Sequence, residues 1–172
     1  QGEAYDAEFE SFVTAHPQAS VTEVYEALAI SDIQAACDTL RPVYDQAGGL
    51  DGYVSMEVSP YLANATQETI EEARRLWKQI DRPDLMIKVP GTEAGTPAIR
   101  QLIEDGININ VTLLFSNDAY VAVAMAYVEG RDQEYQATVA EALKINPTYG
   151  EVYRIVGSTT AHYYRFDEAV EQ

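Results

Sequence analysis

Between residues 52 and 130 the hydrophobic pattern switches period five times, and that alternation restricts the fold more than any other feature of the chain. "GYVSMEVS" (52–59) reads as a strand bounded by Gly49 and Pro60. "TQETIEEARRLWKQI" (66–80) puts Ile70, Ala73, Leu76, Trp77 and Ile80 on one helical face. "DLMIKV" (84–89) is again a strand. "AGTPAIRQLIEDG" (94–106) is a helix, with Pro97 near its first turn and Gly106 closing it. "NINVTLLFS" (108–116) and "NDAYVAVAMAYVEG" (117–130) repeat the strand and the helix. Three strand-then-helix units in succession predict an α/β fold: a parallel sheet of three strands joined by right-handed helical crossovers.

Helices are expected before these units, over 4–15 and 20–46. Val24, Leu28, Ile33, Cys37, Leu40, Val43 and Tyr44 recur at three- and four-residue steps. Ser31 with Asp32 predicts the start of a second helix after Ile30, and Gly48-Gly49 its stop. After Gly130 the rhythm changes. Everything to Gln172 reads helical, with breaks at "NPTY" (146–149) and near Arg165-Phe166. Two domains follow from this, 1–130 and 131–172.

Charge narrows the function classes. With 28 acidic and 11 basic side chains the net charge is −17, which disfavours nucleic acid and anionic membrane surfaces as partners. Cys37 is the only cysteine, so no internal disulfide is expected. No apolar stretch approaches the roughly 20 residues that span a bilayer, and no signal peptide is seen. A cytoplasmic protein is expected. The chain opens on Gln1 and ends at Gln172 within a helical pattern, so both ends read as cut. His16 and His162 read as structural or surface residues, and no metal site is expected.

Strands buried on both faces should be almost wholly apolar, yet each of these three carries a polar interruption. Glu57 lies between Met56 and Val58, and Lys88 between Ile87 and Val89. Asn110 and Thr112 are two apart and so share a face. Each has an ordinary structural explanation. Glu57 suits an exposed strand end, Lys88 suits a rim position or an ion pair with Glu57, and Asn110 and Thr112 suit bonds to neighbouring backbone. Their joint occurrence points to chemistry. A lysine desolvated in a strand has its charged form disfavoured, and the neutral amine attacks a ketone or aldehyde to give a Schiff base. On this reading Glu57 shuttles protons through a water, while Asn110 and Thr112 bond substrate hydroxyls and orient that water.

The stretch from "DGYVSMEVSP" through "RPDLMIKVPGTEAG" to "NINVTLLFS" resembles the central part of a transaldolase. "EVYEALAISDIQAACDTLRPVYDQAGG" resembles the helical region before it in bacterial members of that family. The likeness runs from about Ala4 to Gly130. It implies part of a TIM-type (β/α)₈ barrel that moves a dihydroxyacetone unit between sugar phosphates, within the pentose phosphate pathway, with no metal or organic cofactor. It makes Lys88 the Schiff-base lysine, Glu57 the glutamate of the proton relay, and Asn110 and Thr112 the residues lining the site. Ser116, at the end of the third predicted strand, is expected to face the same pocket. The family strands that carry a catalytic aspartate, a Ser-Asn-Pro motif and a phosphate-binding serine and arginine have no counterpart in this sequence. A truncated, inactive transferase is therefore expected. The tail, "AEALKINPTYGEVYRIVGSTTAHYYRFDEAVEQ", resembles tetratricopeptide repeats of about 34 residues, with Ala142, Asn146-Pro147 and Tyr153 at matching places. It suggests a peptide or protein partner. Two alternatives stand beside the enzyme: a scaffold chain binding through that tail, and a product of joined fragments with no function of its own.

Overall fold

A computed structural model describes residues 5–145, with side chains as far as Arg131. The elements run α1 (Asp6–Ala15), α2 (Val21–Gln46), β1 (Val54–Glu57), a 3₁₀ turn (Pro60–Leu62), α3 (Thr66–Ile80), β2 (Leu85–Pro90), α4 (Gly95–Glu104), β3 (Ile109–Thr112) and α5 (Asn117–Ile145). The strands form one parallel sheet in the order β1-β2-β3. This is the α/β arrangement expected of three successive βα units, and it is consistent with a fragment of a TIM-type barrel. The tetratricopeptide-like tail and its partner site lie outside the described residues, apart from the backbone of α5 to Ile145. Among the described residues no helix is long and apolar enough to cross a membrane.

The register explains how each strand divides its residues. Val54, Met56, Leu85, Ile87, Val89, Ile109 and Val111 share one face. Leu85, Ile87 and Val89 are fully buried there, in one core with Ala73, Leu76 and Ile80 of α3 and Ala98, Ile99 and Leu102 of α4. Each such aliphatic side chain contributes about 1.5–3 kcal/mol by leaving water. On the opposite face Ser55, Lys88, Asn110 and Thr112 are half-buried and Glu57 is exposed.

Four expectations are corrected. First, α2 runs unbroken past Ser31 and Asp32. The Asp32 carboxylate does not cap a new helix but accepts a hydrogen bond from Tyr5 Oη at 2.7 Å, fastening the start of α1. Only Ser20 caps α2, accepting from the Glu23 N–H while Glu23 accepts from the Ser20 N–H. Second, β3 ends at Thr112 rather than 116. Leu113 has φ +61°, a left-handed conformation that costs a side-chain-bearing residue energy and cannot continue a strand. Third, the helix expected over 117–130 passes straight through Gly130. Gly130 is buried where α5 crosses α4, and a Cβ there would lie 2.7 Å from the Arg100 carbonyl oxygen and 2.9 Å from Ile103 Cβ. It is a close-packing residue, not a stop. Fourth, Leu40 and Val43 of α2 are exposed although they continue its apolar periodicity.

Polar clips hold α2 to the sheet layer. The Arg75 guanidinium donates to both Glu26 oxygens at 2.6 and 2.7 Å. Arg82 grips Asp38 in the same forked way, at 2.6 and 3.0 Å. Between these pairs Gln34 Nε2 donates to the Gln79 and Ile80 carbonyls at the end of α3.

Candidate active site

Parallel pairing sets three of the singled-out residues in one row. Glu57 is level with Lys88, and Lys88 with Asn110. Thr112 follows two residues on, level with Pro90, and so on the same face. All four lie towards the C-terminal ends of their strands, where βα folds gather their chemistry. Lys88 Nζ is 3.7 Å from Glu57 Oε2, within ion-pair range but longer than a direct hydrogen bond. The Lys88 side chain is 31% exposed and that of Glu57 58%, so the lysine is half-buried rather than sealed. Helices α3 and α4 pack against the other face of the sheet.

Ser116 is not brought into this row. The turn at Leu113 takes the chain out of the sheet, and the Ser116 hydroxyl accepts a hydrogen bond from the Ala119 N–H at 3.1 Å, capping α5. A different serine joins the site. Ser55 of β1 accepts a hydrogen bond from Asn110 Nδ2 at 3.0 Å. The signal for it was in the sequence, because Ser55 stands two residues before Glu57 and therefore on its face.

The loops above the strand ends are stitched together. The Thr92 hydroxyl donates to the Ala63 carbonyl at 2.6 Å and accepts from the Gly95 N–H at 2.9 Å, so it ties the β1–α3 connection to the start of α4. Thr66 Oγ1 donates to the Ala94 carbonyl at 2.6 Å, a second tie between the same loops. A Cβ on Gly95 would collide with the Pro90 carbonyl oxygen, so only glycine lets α4 begin so close to the end of β2. On the helical side of the core Cys37 is fully buried. Burial, and then the nearby Asp84 carboxylate, push its thiol up to about 11. Among the described residues no group of three or more His, Cys, Asp or Glu side chains is arranged to hold a metal ion.

A lysine thus stands 3.7 Å from a carboxylate on one face of parallel βα units, near their strand ends. The family model for transaldolase/fructose-6-phosphate aldolase matches residues 1–141, and the chain belongs to that family. Transaldolase 2 of Nostoc punctiforme is 51% identical over 129 residues, covering 75% of this chain and 33% of that protein. The transaldolase of Thiobacillus denitrificans is 54% identical over 113 residues, 66% of this chain and 32% of the relative. That of Thermobifida fusca is 45% identical over 137 residues, 80% and 37% respectively. The chain thus spans about a third of the length of these relatives.

Proposed function

We propose that this chain carries the nucleophilic half of a transaldolase site, and that Lys88 forms a Schiff base with a ketose phosphate or its dihydroxyacetone portion. The observation that carries this reading is the row Glu57–Lys88–Asn110, with Nζ and Oε2 3.7 Å apart on an accessible face. The neutral amine of Lys88 attacks the keto carbon, forming a C–N bond as the carbonyl oxygen takes up a proton. The resulting carbinolamine then loses its hydroxyl as water. Glu57, 3.7 Å from Nζ, delivers the proton that this departure needs through a water beside the pair. Thr112 holds that water from β3, and Asn110 bonds a substrate hydroxyl. Ser116 is proposed only as a rim residue, since its hydroxyl already caps α5.

Complete transfer of a dihydroxyacetone unit also needs phosphate-binding groups and a further acid–base residue, and no residue here is assigned those roles. The half-reaction is the right test. Fructose 6-phosphate and sodium borohydride are added to the full chain, and the adduct is located by peptide mass. The expected result is one reduced adduct, on Lys88, absent in Lys88→Met. A chain that yields no adduct, or yields it equally on Lys78, would overturn the proposal.

A further inference from the structure

We propose that a second copy of this chain covers the free edge of β3, pairing strand to strand across a two-fold axis. In the parallel ladder the Asn108 and Thr112 carbonyls accept hydrogen bonds from Ile87 and Gly91. The even-numbered residues of β3 thus turn their backbone groups to β2, and the odd-numbered ones turn theirs away. The N–H and C=O groups of Ile109 and Val111 point to the other edge, where no described element pairs with them. Such a row is a template for another strand. An apolar groove of about 350 Å³ runs beside it, with Ile103 of α4 and Ile109 and Val111 of β3 among its walls. The outer wall is a stripe of α5: Tyr120, Ala124, Tyr127 and Val128. That stripe is distinct from the one where Val123, Ala126 and Gly130 are buried against α4. A helix with two apolar stripes calls for two neighbours, and α4 covers only the second stripe.

The fit is self-complementary, as a two-fold contact requires. The groove takes a strand with an apolar side chain at every second residue, and β3 is such a strand, through Ile109 and Val111. Antiparallel pairing centred on Asn110 lets Ile109 of each copy exchange two main-chain hydrogen bonds with Val111 of the other, four in all. Two three-stranded sheets become one of six, and the contact closes on itself. Tyr120 is 64% and Tyr127 48% exposed, which leaves roughly 200 Å² of aromatic surface to cover in each copy. A standard interface buries about 800 Å² per partner. The groove and the edge supply part of the difference, so the dimer is a weak one, with a micromolar dissociation constant. Two chains of net charge −17 repel each other, and added salt strengthens their pairing.

The experiment is sedimentation of the full chain across the micromolar range, at low and at high salt. The mass is expected to rise with concentration towards twice that of one chain, and further in high salt. Ala124→Arg, at an exposed position, fills the groove with a long side chain and is expected to abolish the rise, although its added positive charge eases the repulsion. Val111→Pro removes an N–H that faces the free edge, a change edge strands tolerate. It deletes two of the four bonds and is expected to weaken association roughly tenfold or more. Asn110→Cys sets two thiols across the axis with about 4.5 Å between Cα atoms, and mild oxidation is expected to link the copies. Thr112→Cys lies on the same face but about 14 Å from its counterpart, too far to bridge. Cys37 is buried and stays out of both reactions.

A monomer at every concentration and salt overturns the proposal. So does an Ala124→Arg chain that pairs as wild type does, or a disulfide that forms as readily in Thr112→Cys as in Asn110→Cys. A monomer whose Ile109 and Val111 amides exchange slowly with deuterium has that edge filled from its own chain, and this overturns the proposal as well.

Discussion

The two faces of the sheet are built from the same strands, one residue out of phase, and they have been put to opposite uses. On one face Leu85, Ile87 and Val89 are sealed against α3 and α4. On the other, Ser55, Glu57, Lys88 and Asn110 retain access to solvent and to one another. Ile87 and Lys88 are chain neighbours, yet one is sealed in the core and the other is the proposed nucleophile. Side-chain alternation along a strand thus separates the core from the proposed site within a few ångströms. The comparison predicts that substitutions on the two faces fail in different assays.

Lys88→Met should give the largest effect, complete loss of borohydride-trapped adduct, while its unfolding free energy in urea changes by less than about 1 kcal/mol. Ile87→Ala should do the reverse, costing about 2–5 kcal/mol in urea unfolding while its folded fraction still forms the adduct. If Ile87→Ala abolished trapping in the folded protein, the separation of the faces would be broken. Cys37 sharpens the comparison from the helical side. Its buried thiol, raised to about 11, should resist iodoacetamide at neutral pH and react at the rate of a free thiol once urea unfolds the chain. Free-thiol reactivity in the native protein would mean that α2 undocks from the core.

Smaller effects belong to the polar clips. Arg75→Ala should cost at most about 1 kcal/mol, and less at high salt, because the Arg75–Glu26 pair is partly exposed. The remaining prediction concerns acid. Hydrogen bonds from Arg82 hold the Asp38 carboxyl below its ordinary value, and those from Arg74 do the same for Asp105. A carboxyl depressed in the folded state adds stability that is present above its unfolded value and lost as pH falls through its folded one. The melting temperature should therefore hold level from neutral pH and decline below about pH 4. Arg74→Ala with Arg82→Ala should flatten that decline, which thermal melts across a pH series would show.

The alternation of strand and helix made the order of elements legible, because periodicity follows directly from which residues a fold buries. The shared face of Glu57, Lys88, Asn110 and Thr112 was legible for the same reason. The ends of elements were not, because local signals carry several meanings. Asp32 has the chemistry of a cap and is spent on Tyr5. Gly130 has the look of a terminator and serves close packing. The break after Thr112 came from Leu113, a residue type that seldom adopts positive φ. How far Lys88 is buried was not legible either. Exposure depends on what packs against a face, which alternation within a strand does not specify.

The glycine at 130 also fixes the rotational phase of the helix that contains it. Ser116 caps one end of this stretch and Gly130 meets α4 at the other, fourteen residues on, or about four turns at 3.6 residues each. One residue inserted between them would swing the notch by about 100° and bring a side chain round to the Arg100 carbonyl. Length variation in this stretch is therefore quantised: three or four residues at a time can be absorbed, while one or two would unseat the helix.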